Sequence, residues 1–544
     1  MRRPRRASAT AAVLTVLAAV VVWVALVLPD ERQYLTADAF VRVPVEAVVL
    51  LALAVVLPRR PRRVVAVVAG VLLALVLLAT LLNIGFNAVF VRDFDPVVDW
   101  AYLGPGLGVL RDTEGLGVAV AAGVVAGLAA VAVLVLLPLA TLRLTGVAAA
   151  HRRAAVAVAV VLGLVWGVAR TAGWQVADEG QVASASAADR VWTDVRQLRA
   201  DLADRSRFTE EIRTDPLARD VEGSPRLPGL AGKDVLVLYV ESYGRVALDD
   251  PVLGPATERA LADCTESLAG AGFAARSGWL DSPTYGAGSW LAHATLQSGL
   301  RVDTQQRYDQ LMNARRLTLT EAFGRAGWRT VFALPSVRRA WPEGQRFYRY
   351  DELFGTQATG YDGPAFGWSR VPDQYALDAF GRRVLDVPER PPVMAEVDLS
   401  SSHHPWTPLP RSVPWDELGD GRVFRGQRAD QPDEEALLAD DDAVRAAYGR
   451  SIVYSLRTTC AWLQRRPADD DLVVVLLGDH QPHSYVTGGD PDHAVPVSLL
   501  ARDPAVLDRV TGWGWDDGLR PGPDAPVWPM EAFRDRFLRA FGAG

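Results

Sequence analysis

Apolar positions are crowded into the first third of the chain, where they form five runs at 11–28, 43–57, 64–90, 116–139 and 154–168. A membrane-crossing helix needs roughly 20 apolar residues to span a hydrocarbon core of ~30 Å. Most of these runs reach that length, and the pattern predicts five transmembrane helices. The second is short and carries Glu46, and the fifth is short unless it continues through Ala169 to Trp174. From 176 to 216 the chain turns polar, with Val191, Val195, Leu198 and Leu202 at helical spacing, which predicts an amphipathic connector. A Pro- and Gly-rich stretch at 223–232 follows. The division expected is a membrane domain at 1–175, a connector and linker at 176–230, and a second domain at 231–544.

The second domain has a different rhythm. Short apolar, β-branched runs at 235–239, 329–334, 393–399, 471–478 and 495–501 read as buried strands, and helical patterns cover 257–269, 289–297, 319–326 and 442–465. Strands alternating with helices predict an α/β domain with a mostly parallel sheet. The acidic stretch 416–442 reads as an exposed loop with little regular structure.

Charge sets an orientation for the membrane part. Arg2, Arg3, Arg5 and Arg6 precede the first run, Arg59, Arg60, Arg62 and Arg63 separate the second from the third, and Arg143, Arg152 and Arg153 separate the fourth from the fifth. Arginine-rich loops stay cytoplasmic. The loops carrying Asp30, Glu31 and Asp38, and then Asp93, Asp95 and Asp99, fall outside, and an odd number of spans places 231–544 outside as well. The first run closes without an Ala-x-Ala cleavage site and is read as a retained anchor rather than a signal peptide. The net charge of −7 says nothing about nucleic acid, but the lack of a basic cluster beyond the cytoplasmic loops predicts no nucleic-acid partner. Two cysteines, Cys264 and Cys460, both fall outside; a single disulfide and two buried thiols are equally open readings.

The candidate chemistry lies at strand ends. The 471–478 strand stops at Gly478 and is followed directly by Asp479 and His480, a hard oxygen donor beside an imidazole, at the carboxyl end of a strand where open α/β sheets collect ligands. The 235–239 strand runs into Glu241. Any one of these residues could serve as a helix cap or strand-end polar group, but three on two strand ends point to a metal site. A mixed oxygen and nitrogen set suits Mn²⁺ or Zn²⁺ better than Ca²⁺. A hydroxyl beside such a site becomes a nucleophile for phosphoryl transfer. The segment 281–299, DSPTYGAGSWLAHATLQSG, offers Thr284 in a loop and Ser289 at a helix N-terminus, where backbone N–H groups favour an anion.

LYVESYGR, followed some way downstream by LLGDHQP, resembles the alkaline-phosphatase superfamily, and within it the lipoteichoic acid synthase and phosphoglycerol transferase branch. The resemblance implies an extracytoplasmic, alkaline-phosphatase-like domain in which Glu241, Asp479 and His480 hold one divalent metal, Mn²⁺ first, with Mg²⁺ or Zn²⁺ as alternatives. Relatives use a threonine nucleophile with a serine three positions later. Aligning Ser289 with that serine puts Gly286 in the nucleophile's place, so Ser289 and Thr284 both remain candidates. His403 in His403-His404-Pro405-Trp406 matches a histidine that binds the phosphate-bearing headgroup. Trp341, with Arg338, Arg339 and Arg346 around it, falls where relatives place Trp and Arg against glycerol phosphate. A histidine that relatives carry shortly before that Trp is absent, since the chain reads Phe332-Ala333-Leu334-Pro335.

The implied function is a membrane-anchored transferase in the plasma membrane. It would move phosphoglycerol or a similar phospho-alcohol from a membrane lipid donor to an envelope polymer or glycolipid through a covalent phospho-enzyme. The alternatives are a phosphodiester or sulfate-ester hydrolase of the same superfamily and an inactive envelope-binding relative. The sulfatase motif Cys/Ser-x-Pro-x-Arg is absent, and Glu241-Ser242 stands where sulfatases carry paired aspartates.

Overall fold

The computed structural model describes the chain apart from residues 1–3, 30–36, 91–93, 96–98, 103, 105, 108–109, 112–114, 173, 177–179, 185, 218–226, 339, 430, 489–491 and 543–544. Asp30, Glu31, Asp93, Arg339 and part of the 223–232 linker therefore lie outside the described residues. The chain divides into two compact units, Met1–Asp204 and Arg205–Gly544.

The first unit contains α1 (Pro4–Val27), α2 (Val45–Val56), α3 (Arg59–Phe90), α4 (Leu116–Ala150) and α5 (Arg152–Ala172). Among the described residues, four helices are long and apolar enough to cross a membrane, over Ala9–Val27, Arg59–Phe86, Leu116–Ala150 and Arg152–Ala172. The fifth-run expectation is met, because α5 continues to Ala172. The second-run expectation is not met by length, since the 12 residues of α2 rise only about 18 Å. Helices α3 and α4 approach closely at Gly70, where an added Cβ would stand 2.5 Å from the Cα of Pro138. Thr141 Oγ1 donates to the Ala66 carbonyl across the same contact, at 2.7 Å. Small residues at such a crossing let two backbones meet.

Helix α6 (Ser186–Arg213) carries the chain from one unit to the next. The second unit is built on one sheet. Its strands in chain order are β1 (Asp234–Val240), β2 (Ala274–Asp281), β3 (Arg329–Leu334), β4 (Glu352–Gly355), β5 (Val393–Leu399), β6 (Leu472–Gly478), β7 (Ala494–Ala501), β8 (Asp516–Asp517) and β9 (Val527–Pro529). They lie in the order β8-β2-β7-β6-β1-β5-β3-β4, with β9 beside β2. From β6 to β4 every neighbour is parallel, whereas β6–β7, β7–β2 and β2–β8 are antiparallel. The sheet is thus mixed, with a parallel half that holds the site. Strand β2 broke the expectation because ARSGWLD carries Arg276, Ser277 and Gly278 where a buried strand is looked for by apolar residues.

Strand parity decides which side chains share a face, since successive residues point to opposite sides. Leu236, Leu238 and Val240 of β1 enter one core, and Val235, Val237 and Tyr239 the other. On β6, Leu472, Val474 and Leu476 divide from Val473, Val475 and Leu477 in the same way. Both faces are covered, and full burial of each such Val or Leu stabilises by about 1.5–3 kcal/mol. One face is packed by α7 (Gly254–Gly270) and the long α10 (Asp441–Gln464), which Cys264 and Cys460 join as a disulfide. The other face receives α8 (Ser289–Ser298) and α9 (Leu319–Arg325). The acidic stretch 416–442 forms short 3-10 turns and a five-residue helix, Glu434–Leu438, before α10.

Candidate metal and phosphoryl-transfer site

Continuing the parity of β1 and β6 past their last residues places Glu241 and Asp479 on the side of Tyr239 and Leu477, at the carboxyl ends of two adjacent parallel strands. His480 follows. One ligand atom from each of Glu241, Asp479 and His480 falls within a 4.8 Å cluster. The backbone is shaped to allow it. A Cβ on Gly478 would lie 1.9 Å from the Tyr243 carbonyl, and Ser242 takes a positive φ of 58° between Glu241 and Tyr243. A non-glycine residue there stores strain that the surrounding contacts must hold.

The hydrogen bonds leave one face of each ligand free. Asp479 Oδ1 accepts from the backbone N–H groups of Ser242 and His480, both at 2.8 Å, while its buried Oδ2 has no hydrogen-bond partner among the described residues. His480 Nδ1–H donates to the Gln481 carbonyl at 2.7 Å, so Nε2 faces the cluster, 3.3 Å from Glu241 Oε1 and 3.5 Å from Asp479 Oδ2. An imidazole held this way by a carbonyl is oriented to bind a metal. The donor set and the orphaned carboxylate oxygen fit a divalent cation.

Electrostatics agree. Burial raises the Asp479 carboxyl to about 6, with Glu241 adding to it. Burial alone would lower His480, but Asp479 and Glu241 carry its imidazole up to about 9. Burial also acts to raise Glu241, yet the hydrogen bond with His480 and the charge of His403 hold it below the usual carboxylate range. Without metal the cluster retains a proton on His480, which a cation would displace.

Ser289 opens α8 directly after Gly288, whose φ of 85° turns the chain into the helix. Its Oγ donates toward Glu241 Oε2 at 3.1 Å and lies 3.2 Å from His480 Nε2. The loop before it is strapped to the metal-ligand loop. Ser282 Oγ donates to the Asp479 carbonyl at 2.6 Å, and the Gly286 N–H donates to that of Gln481 at 2.8 Å. Thr284 is placed differently, with its hydroxyl donating back to the Ala287 carbonyl at 2.6 Å.

A cavity of about 440 Å³ opens beside Ser289 and Glu241, lined also by His403 and Trp341. The His403 ring stacks on Trp368 at 5.1 Å, with Nδ1 donating to the His404 carbonyl at 2.6 Å. Trp341 packs over Gly344, where a Cβ would come within 2.3 Å of its ring. Arg346 is exposed on the helix Pro342–Tyr348 and does not line the cavity. Leu334 and Pro335 line it as well.

The structure adds a second cluster that the sequence reading missed: His293, Glu396 and Asp398. Parity places Glu396 and Asp398 on the face of Met394, opposite Val397 and Leu399 of the same strand. The signal was available, because two carboxylates inside the apolar run VMAEVDL are out of place unless something partners them.

No family model matches the sequence, and no curated protein matches it. Solved structures do. The lipoteichoic acid synthase LtaP from Listeria monocytogenes is 15% identical, with a TM-score of 0.37 over 57% of this chain and 73% of that one. The C-terminal periplasmic domain of EptC from Escherichia coli is 12% identical, with a TM-score of 0.37 over 59% of this chain and 83% of the other. The phosphoglycerol transferase GacH from Streptococcus pyogenes, solved with sn-glycerol-1-phosphate, is 12% identical, with a TM-score of 0.34 over 63% of this chain and 91% of that one. The functional reading is drawn from the geometry of the site.

Proposed function

We propose that this chain is a membrane-anchored, metal-dependent phosphotransferase of the alkaline-phosphatase superfamily. It takes phosphoglycerol or a similar phospho-alcohol from a membrane lipid and passes it, through a phosphorylated Ser289, to an envelope polymer or glycolipid. The observation that carries this reading is the position of Ser289 Oγ within 3.2 Å of both Glu241 and His480. Glu241, Asp479 and His480 would hold one divalent cation, with Mn²⁺ our choice and Mg²⁺ or Zn²⁺ as alternatives. Such a cation lowers the pKa of a neighbouring hydroxyl and offsets charge gathering on phosphoryl oxygens.

Ser289 Oγ attacks phosphorus as the bond to the lipid alcohol breaks, the serine proton leaving with that alcohol; the acceptor hydroxyl later attacks the same phosphorus, and its proton returns to Ser289 Oγ as the phosphoserine bond breaks. The N-terminal N–H groups of α8 favour the anion at that point. His403 and Trp341 are placed to hold the headgroup. Trp341, Phe332 and Tyr348 give the same cavity an apolar wall. The catalytic domain is taken as 231–544, with 1–175 as the membrane anchor and 176–230 as connector.

For topology we propose five crossings, with α2 completing the fifth. Val43–Pro44 before α2 pairs with Ala183–Ser184 beyond α5, and Arg152 at the start of α5 donates to the Val55 carbonyl at the end of α2, at 2.7 Å. Thus α2 with its extended lead-in runs antiparallel to α5 along that helix's length. An odd count puts the catalytic domain outside. The Cys264–Cys460 disulfide supports this, because such bonds persist in oxidising compartments. A reporter active only in the cytoplasm, fused at Gly544, should stay silent; a bright signal would sink both the five crossings and an external substrate.

The chemical test uses the purified full chain in detergent with Mn²⁺ and phosphatidylglycerol labelled in its headgroup. Wild type should form a covalent adduct, Ser289→Ala should keep metal yet form none, and Thr284→Ala should still form it. An adduct that survives Ser289→Ala and vanishes in Thr284→Ala moves the nucleophile. Release of free headgroup phosphate without transfer makes the chain a hydrolase, and no adduct or turnover overturns the reading.

A further inference from the structure

Phosphoryl transfer concentrates negative charge on the non-bridging oxygens, and an enzyme needs fixed positive donors around them. Among the described residues lining the cavity there is no lysine or arginine, and its basic side chains are His293 and His403. His293 lines the cavity and stands four residues after Ser289 on α8, on the same helix face one turn along.

Its surroundings fix its state. The Gln297 Oε1 atom accepts from the Thr320 N–H at 3.0 Å, so the amide nitrogen is the end that donates to Glu396 Oε2, at 2.6 Å. His293 Nδ1 reaches the other oxygen, Oε1, at 2.9 Å. Glu396 is fully buried with a hydrogen-bond partner on each oxygen, and the raised His293 imidazole makes Nδ1 the donor to it. Asp398 adds a second carboxylate 3.7 Å from the same nitrogen, and the His293 ring lies flat on Tyr239, with 3.9 Å between centroids. Glu241 and Asp479 are the other charged groups near it, at the ends of β1 and β6. Burial alone would lower His293, but Asp398 and Glu396 carry its imidazole to about 10. With Nδ1 committed, the group left to the cavity is Nε2.

We infer that His293 is a further catalytic residue, whose Nε2–H holds a non-bridging oxygen of the phosphoryl group on Ser289, with Glu396 as its positioning residue. The inference rests on the phosphoryl-transfer reading of the same site. It gives the reaction one cation from the metal ligands' side and a second from the chain itself. No proton need leave His293 in this role.

The test compares side chains that reach different points of the ring. In His293→Asn the amide reaches the Nδ1 position, keeping the bond to Glu396 and losing the cavity donor. His293→Gln reaches toward Nε2. Single-turnover adduct formation from labelled phosphatidylglycerol should slow by about 10²–10³ in His293→Asn, with metal content and melting temperature unchanged, and His293→Gln should recover part of the rate. A parallel titration with inorganic phosphate, on metal-loaded full chain, should show weaker binding in His293→Asn than in wild type. Wild-type rate and wild-type phosphate affinity in a folded, metal-loaded His293→Asn would overturn the inference. A wild-type chain that forms no adduct would sink the transferase reading instead, and the phosphate titration would then still decide whether His293 binds the anion.

Discussion

Two clusters of one histidine and two carboxylates sit at neighbouring strand ends in this domain, and they differ in what holds the imidazole. His480 gives its Nδ1–H to a backbone carbonyl and turns Nε2 toward Glu241 and Asp479, which carry its imidazole up to about 9. His293 gives its Nδ1–H to a buried carboxylate, which favours the charged ring and turns the other nitrogen into a donor. Both imidazoles are held charged by neighbouring carboxylates, and they differ in what the second nitrogen meets: Glu241 and Asp479 for His480, the cavity for His293. Each cluster also holds a buried carboxylate oxygen with no hydrogen-bond partner among the described residues, Asp479 Oδ2 in one and Asp398 Oδ1 in the other.

The sharpest way to break the comparison is to remove a carboxylate from each cluster. Asp479→Ala should lose bound metal and adduct formation altogether, measured by elemental analysis and by trapping, while Asp398→Asn should keep its metal. Equal metal loss in both would merge the two clusters into one binding site.

Glu396→Gln probes the positioning of His293. The rate of adduct formation should fall, by less than the roughly hundredfold to thousandfold of deleting the donor itself, with metal content unchanged. An unchanged rate would make the Glu396 bond structural only.

Acidity separates the two imidazoles. Metal binding at Glu241, Asp479 and His480 displaces the proton that His480 holds up to about 9, so apparent affinity should weaken about tenfold per pH unit as pH falls below that value. The decline should steepen below about 6, where Asp479 also takes up a proton. Isothermal titration with Mn²⁺ across that range checks it, and a flat profile would remove His480 from the ligand set.

The smallest effect expected is that of His403→Ala. Losing one hydrogen bond to a charged headgroup costs about 1.5–3 kcal/mol, read as slower turnover with metal content intact. Loss of metal in that variant would instead make His403 a ligand.

Much of this site was legible in the chain. The valine-rich run ending in Gly478-Asp479-His480 and the run ending in Glu241 each announce a strand end with a carboxylate after it, and the structure sets them side by side. Arg346 was misleading because closeness in sequence to Trp341 does not settle orientation. Helix Pro342–Tyr348 turns Trp341 into the cavity and Arg346 into solvent. Two of the membrane-run boundaries also shifted outward, since helices α3 and α4 run on through their arginine-bearing ends.

What the sequence by itself determined is periodic and local. Apolar runs set the membrane helices and strands, and the period of two fixes that Glu241 shares a face with Tyr239 and that Glu396 and Asp398 share one with each other, whatever lies above them. Only the tertiary structure decided which face α8 covers. That choice brings Ser289 to Glu241 across 48 positions and His293 to Glu396 across 103. It also joins Cys264 to Cys460 across 196. Such pairings depend on how sheet and helices bury their apolar faces together, a property of the packed whole that no local pattern encodes.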